Sequence, residues 1–347
     1  MPDPGSGGFR GFWLKSSGLI RVYFLGSGTL GIPVLRHLAA ATEAGLFLAG
    51  VGTQPDRPQG RNRQSAPTPV GEAANALGLT ADKPEQANAP EFLARLRALE
   101  LDVAVVVSYG QLLREEFFNL PRCGCLNVHA SLLPRHRGAS PIQAAILGGD
   151  PETGISFMRI DRGLDTGPVY RQIRQPLTGT ETAAALETTL GKLAAEHVAG
   201  CLRQICRDGL TPQPQPQPGV TVARKIRKEQ GLLDWRLPAA QLERQIRAFH
   251  PWPGTWFLLP TAKGPRRVTA TAAGVRPELS GPAGEVLQAD RRSWVVACGE
   301  GGLEIRRVVP EGRGEMDAAE FLRGCPVAAG TRLETANPNR ILANIPS

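Results

Sequence analysis

Residues 20–210 predict a doubly wound parallel α/β sheet, and residues 220–335 predict a smaller, β-rich domain. Three observations support this. Strand-like apolar runs alternate with helical patterns through the first half of the chain. Several of those runs, DVAVVVS at 102–108 among them, are continuously apolar, as strands covered on both faces must be. Short β-like runs separated by Gly and Pro fill the last third, the pattern of a small barrel or sandwich. Strand–helix alternation implies right-handed crossovers and therefore parallel pairing.

In order, strands are expected at 19–25, 47–52, 103–108, 126–129 and 155–160, with helices at 32–41, 90–99 and 139–147 between them. A long amphipathic helix follows at 181–207, where Leu186, Leu190, Leu193, Val198, Leu202 and Ile205 keep to one broad face. TPQPQPQPG at 211–219 can neither extend a helix nor pair in a central strand, and it reads as an extended spacer between domains. Beyond it come a helix at 239–249 and β-like runs at 255–259, 267–272, 284–287, 294–298 and 303–309. Residues 1–19 read as a flexible leader without the apolar core of a signal peptide, and 336–347 as a tail.

The 347 residues are 41% hydrophobic and 21% charged, the balance of a globular chain. No apolar run approaches the ~18 residues of a membrane span. Six cysteines in a chain this long form no disulfide framework, and no second Cys/His pair completes a zinc site. The expectation is a cytoplasmic protein with reduced thiols and no metal. A net charge of +8 and a pI of about 9.5 favour an anionic partner, a polynucleotide before others.

Two stretches carry chemistry. FLGSGTLG at 24–31 spaces Gly26, Gly28 and Gly31 as a dinucleotide-binding turn does, between a strand and a helix. That reading needs a carboxylate capping the second strand. Gly52 and Thr53 stand there instead, with Asp56 displaced into a Pro- and Arg-rich loop, so no nicotinamide cofactor is expected. The second stretch is 124–170. Asn127 and His129, two apart on a strand, face the same way at the end of a parallel sheet, where such folds place ligands. Asp165 follows in a Gly-flanked turn, GLDTG. An Asn amide and a protonated imidazole both donate to a developing oxyanion. A neighbouring carboxylate favours the protonated imidazole and accepts a proton, directly or through a water. The trio suits attack of an amine on an activated carbonyl without a covalent enzyme intermediate.

NVHASLLPRHRGASPI (127–142) with GLDTG resembles the folate-dependent formyltransferases, marked by N-x-H, S-L-L-P and a distal Asp. TQPDRPQGR (53–61), VVVSYGQLL (105–113), LPRCGCLNVHASLLP (120–134), DWRLPAAQLERQIRAFHPWPGTW (234–256) and DAAEFLRGCPVAAGTRL (317–333) place it nearest the branch that formylates methionyl initiator tRNA. The resemblance covers about residues 20–333. It implies a Rossmann-like catalytic domain at 20–210 and, beyond the spacer, an OB-like tRNA-binding barrel at 220–335. It further implies 10-formyltetrahydrofolate as formyl donor and tetrahydrofolate as product, with Asn127, His129 and Asp165 as catalytic residues. Ser131, Leu132, Leu133 and Pro134, with Ser108, Tyr109, Gly110 and Leu113 of the VSYGQLL loop, would shape the folate pocket. Arg57, Arg61 and Arg63 crowd a loop that reaches the tRNA acceptor end in this family, and Arg224, Lys225, Arg227 and Lys228 form a second basic cluster after the spacer. Nothing in the sequence demands a dimer, so a monomer is expected. Where the tRNA-formylating pattern is Gly-Thr-Pro-x-Phe-Ala, this chain has Gly26-Ser27-Gly28-Thr29-Leu30-Gly31, which creates the dinucleotide-like spacing. Three other readings compete with this one: a formyltransferase acting on a nucleotide-linked amino sugar, a non-catalytic nucleic-acid-binding protein on the same scaffold, and a nicotinamide oxidoreductase.

Overall fold

Strands β1 (Ile20–Gly26), β2 (Leu46–Gly52), β5 (Ala81–Asp82), β6 (Val103–Val107) and β7 (Cys125–His129) pair in parallel, β7 with β6, β6 with β1, β1 with β2 and β2 with β5. A computed structural model describes residues 18–59, 64–262 and 264–334. Most of the leader expected at 1–19, the tail expected at 336–347, and Arg61 and Arg63 lie outside the described residues. The chain divides into two compact units, Met1–Asn127 with Ala194–Pro212, and Val128–Leu193 with Gln213–Ser347.

In the first unit, burial explains the strands. All five residues of β6 are buried, and Val22 to Leu25 of β1 are wholly inaccessible, as the continuous apolar runs require. Crossovers are made by α1 (Gly31–Ala39), which buries Val34, Leu35 and Leu38, and by α2 (Pro69–Ala76) and α3 (Pro90–Ala98). Both of the latter begin on proline, whose fixed φ suits a first helical turn. Thr68 caps α2 by accepting from the Gly71 N–H at 3.0 Å. The sequence pattern did not anticipate α2, nor the short antiparallel pair β3 (Arg57–Gln59) and β4 (Gln64–Ala66). The short helix α4 (Glu115–Phe118) precedes β7.

The second unit takes up the chain at Val128 in β7 and continues through β8 (Arg137–Gly138), α5 (Pro141–Gly148), β9 (Glu152–Arg159) and β10 (Val169–Pro176). Here β10 runs antiparallel to β9, from Val169 opposite Met158 to Pro176 opposite Glu152. Within the first unit the parallel order is β7-β6-β1-β2-β5, and within the second β10 pairs antiparallel with β9. The long helix α6 spans Ala183–Cys206.

From Gln213 onward, the stretch expected as an extended spacer makes backbone hydrogen bonds within the second unit. Gln213 exchanges two backbone hydrogen bonds with Val169, both at 2.8 Å, and β11 (Val222–Ala223) pairs in parallel with β8. After α7 (Ala239–Ala248) come β12 (Thr255–Leu259), β13 (Arg266–Arg276), β14 (Val286–Ala289), β15 (Trp294–Ala297), β16 (Gly302–Pro310), β17 (Met316–Asp317) and α8 (Ala318–Gly324). The strands form an antiparallel sheet in the order β12-β13-β16-β15-β14, with β17 on β16. A chain of four aromatic rings runs through its otherwise largely aliphatic core. Trp235 meets Phe257 edge-on at 5.6 Å, Phe257 meets Trp294 likewise, and Trp294 stacks on Phe321 at 5.5 Å. Such pairs are worth about 0.5–1.5 kcal/mol each beyond area burial.

Candidate active site

Cys125–His129 ends the buried β7 run with a polar alternation. Asn127 is half-buried, and His129, at 5% exposure, closes the strand. The imidazole is oriented from both sides within the second unit. Its Nε2 lies 2.9 Å from the His136 carbonyl oxygen, which can only accept, so Nε2 carries the hydrogen. Nδ1 faces the Asp165 carboxylate, with Oδ2 at 3.6 Å. The Nδ1 edge is therefore the one left for proton transfer.

Asp165 reaches that position by an unusual backbone. Its φ of 53° lies in the left-handed region that a non-glycine residue occupies at a cost of about 1–3 kcal/mol, and such residues cluster at functional sites. Oδ2 accepts from the Gly138 N–H at 2.8 Å, which fixes the carboxylate against β8. The 159–168 turn around it is closed by Asp161, whose Oδ1 accepts from the Gly163 N–H at 3.0 Å and from Thr166 Oγ1 at 2.8 Å. His136, also left-handed with φ 56°, is tied by its Nε2 to Asp150 Oδ2 at 2.7 Å and by its N–H to Thr221 Oγ1 at 2.8 Å. The carbonyl that orients His129 is thus held by two anchors on its own residue.

The S-L-L-P loop is organised by a serine. Ser156 Oγ, on β9, accepts from the Leu133 N–H and from Gln172 Nε2, both at 3.0 Å, and donates to the Ser131 carbonyl at 2.6 Å. Gln172, on β10, also donates to the Leu133 carbonyl at 2.7 Å. Ser131 and Leu133 are buried, Leu132 and Pro134 half-buried. Neither Ser156 nor Gln172 was predicted as a site residue. Gln172 is brought to the loop by the antiparallel pairing of β10 with β9, which sets it opposite Ser156.

In the first unit, Ser108 and Gly110 take positive φ, 47° and 85°, while Tyr109 and Leu113 are buried. The Tyr109 carbonyl accepts from Gln54 Nε2 at 2.8 Å and Ser27 Oγ at 3.0 Å, which locks this loop to the glycine turn. Burial pushes the Tyr109 hydroxyl up to about 12, and its oxygen meets no hydrogen-bond partner among the described residues. The glycines of the turn answer to packing. A Cβ on Gly26 would meet the Phe24 ring at 2.8 Å, and one on Gly28 would meet Ser108 Cβ at 3.2 Å. The Ser27 and Gly28 N–H groups both donate to the Ser108 carbonyl at 3.3 Å, so these two donors are spent within the protein.

Of the basic residues, Arg57 is exposed and paired with Glu85 at 3.2 Å, and Lys83 binds Asp56 at 2.8 Å, so this loop base carries its own counter-charges. Arg224, Lys225, Arg227 and Lys228 are exposed around the buried Ile226. Among the described residues no cluster of three or more His, Cys, Asp and Glu side chains could hold a metal ion, and no described helix is long and apolar enough to cross a membrane.

The family model described as "Formyl transferase" matches residues 20–200, and "Formyl transferase, C-terminal domain" matches 225–326. The methionyl-tRNA formyltransferase of Phenylobacterium zucineum (strain HLK1) is 43% identical over 314 residues, covering 90% of this chain and 100% of that protein. That of Halorhodospira halophila (strain DSM 244 / SL1) is 44% identical over 311 residues, 89% and 98% of the two chains. Among solved structures, WlaRD, a sugar 3N-formyl transferase, shares the fold at a TM-score of 0.59 and 16% identity, covering 86% of this chain and 100% of that one. The chain belongs to the formyl transferase family and, within it, to the methionyl-tRNA formyltransferases.

Proposed function

We propose that the chain transfers the formyl group of 10-formyltetrahydrofolate to the α-amino group of methionyl initiator tRNA, for translation initiation, with Asn127, His129 and Asp165 as its catalytic residues. The supporting observation is the His129–Asp165 pair. A buried imidazole has one nitrogen committed to a carbonyl and the other 3.6 Å from a carboxylate, at the end of the strand that bears Asn127.

A free α-amino group has a pKa of about 7.7–8.0, so an appreciable fraction is already unprotonated at neutral pH and the enzyme's task is positioning and charge stabilisation. The amine lone pair attacks the formyl carbon, and the carbonyl electrons move onto oxygen. The Asn127 amide and, in the protonated imidazole, the Nδ1–H of His129 donate to that oxyanion. Asp165, directly or through a water, takes the proton that the amine nitrogen loses on forming its bond to carbon. The C–N10 bond then breaks, N10 gains a proton through the His129–Asp165 pair, and tetrahydrofolate leaves. Ser131 to Pro134 together with Ser108, Tyr109, Gly110 and Leu113 line the folate site. Arg57, Arg61, Arg63 and the basic run 224–228 meet tRNA phosphates, which need charge and position more than shape. The protein works as a monomer in the cytoplasm.

Transfer of labelled formyl from 10-formyltetrahydrofolate, with charged initiator tRNA and a nucleotide-linked amino sugar offered side by side, tests the assignment. Label on methionyl-tRNA alone is expected. Label on the sugar nucleotide would keep the chemistry and overturn the acceptor.

A further inference from the structure

Gln215 lies in the middle of PQPQPQ, a segment whose composition suggests nothing but a tether, yet the residue is buried, at 9% exposure. A primary amide has two N–H donors and an oxygen able to accept two hydrogen bonds. All four are used. Nε2 donates to the Asp165 carbonyl and to the Gly167 carbonyl, both at 2.8 Å, and Oε1 accepts from Arg137 Nε at 2.9 Å and from the Arg137 guanidinium NH2 at 2.7 Å. The amide orientation is fixed by this set, because flipping it would set NH2 against a guanidinium and oxygen against two carbonyls.

The bonds form a closed circuit through the turn that carries Asp165. Arg137 holds Gln215, Gln215 holds the Asp165 backbone, and the Asp165 carboxylate accepts from the N–H of Gly138, the residue next to Arg137. Asp165 stands at φ 53°, a backbone that relaxes unless something holds it. Gly167 can yield nothing here, since a Cβ on it would collide with the Arg159 carbonyl. One side chain thus clamps the turn on both sides of Thr166, at the Asp165 and Gly167 carbonyls.

We propose that Gln215 is a positioning residue for formyl transfer, holding the left-handed turn that aims the Asp165 carboxylate at His129. The proposal rests on the assignment of Asp165 to catalysis. Gln215 touches neither His129 nor the carboxylate itself and acts through the Asp165 backbone. Gln213 and Gln217, identical in local sequence, carry no such role, because Gln213 is bound through its backbone to Val169 and both side chains lie at exposed positions.

The test is a double-mutant cycle on the full-length protein, with single-turnover formyl transfer, KM for each substrate and thermal midpoint measured for Gln215→Ala, Gln215→Glu, Asp165→Asn and the pairs. Gln215→Ala should lower kcat by about 100-fold, the cost of misplacing a reacting group by an ångström, with little change in either KM. Gln215→Glu keeps the volume and the acceptor for Arg137 but loses both donors at neutral pH, and should fall nearly as far. If Gln215→Ala does not fold, this isosteric variant carries the test. In the Asp165→Asn background either Gln215 substitution should cost less than about threefold, since two residues acting as one unit are not additive. Equal losses in both backgrounds, or kcat within threefold of the parent in a folded Gln215 variant, would overturn the proposal. An Asp165→Asn protein with parental turnover would instead remove the assignment of Asp165, an outcome legible apart from the Gln215 results.

Discussion

Replacing Ser156 by alanine removes one oxygen and disconnects the loop predicted to receive folate. Ser156 is wholly buried, and its hydroxyl makes three hydrogen bonds, two accepted and one donated. Gln172 keeps the Leu133 carbonyl at 2.7 Å, so it is the least affected partner. The Leu133 N–H and the Ser131 carbonyl lose their Ser156 contacts in an interior from which water is excluded. A buried polar group left unsatisfied costs about 1–3 kcal/mol. Set against the hydroxyl that no longer needs burying, the net loss should be about 3 kcal/mol. At roughly 2–4 °C per kcal/mol for a domain of this size, the thermal midpoint should fall by about 6–12 °C. The assay pairs that midpoint with KM for 10-formyltetrahydrofolate, which should rise while KM for tRNA stays put. A midpoint within 2 °C of the parent (roughly, under 1 kcal/mol by the same conversion) with an unchanged folate KM would refute the claim that Ser156 organises the S-L-L-P loop.

Gly154→Ala, on the same strand, should be more damaging to folding than Ser156→Ala, because its Cβ would run into the Ile173 carbonyl across the β9–β10 pair; comparable denaturation midpoints for Gly154→Ala and parent would contradict that register. Glu85→Gln frees Arg57 from an exposed ion pair worth at most about 1 kcal/mol, so KM for tRNA should drop about two- to threefold and vanish as a difference at high salt. A rise in KM on this substitution would take Arg57 out of the tRNA contact. Tyr109 has its hydroxyl pushed up to about 12 by burial, above the ordinary value of 10. The stability this contributes is therefore intact below pH 10 and is lost as pH rises from 10 through 12, where the unfolded chain ionises first. Tyr109→Phe should flatten that alkaline decline; an unchanged decline in urea titrations across this range would refute the assignment.

Much of the architecture was legible because burial on both faces leaves an unmistakable mark. VAVVV at 103–107 reads as a covered strand and all five of its residues are buried, and the spacing of Asn127 and His129 on β7 puts two polar side chains on one face at its end. The antiparallel edge was not legible. VYRQIRQP at 169–176 alternates in exposure only from Gln172 onward, and such a pattern says nothing of the direction of its neighbour, which is what brings Gln172 to Leu133. Likewise, Asp165 stands out in GLDTG, while Gln215 is one of three glutamines in an alternating repeat, distinguished only by a fold that presents two carbonyls and a guanidinium to it. The glycine spacing at 26–31 illustrates the opposite hazard. The pattern matches a dinucleotide turn, yet a tight approach to Phe24 and Ser108 accounts for Gly26 and Gly28.

The most direct test of the mechanism is single-turnover formyl transfer by Asp165→Asn and His129→Ala, measured beside tetrahydrofolate and methionyl-tRNA binding on the same preparations. Loss of a positioned acid–base group should slow transfer by about 10²–10⁴-fold with both affinities kept. Transfer at the parental rate by either folded variant would contradict the assignment of proton transfer to the His129–Asp165 pair.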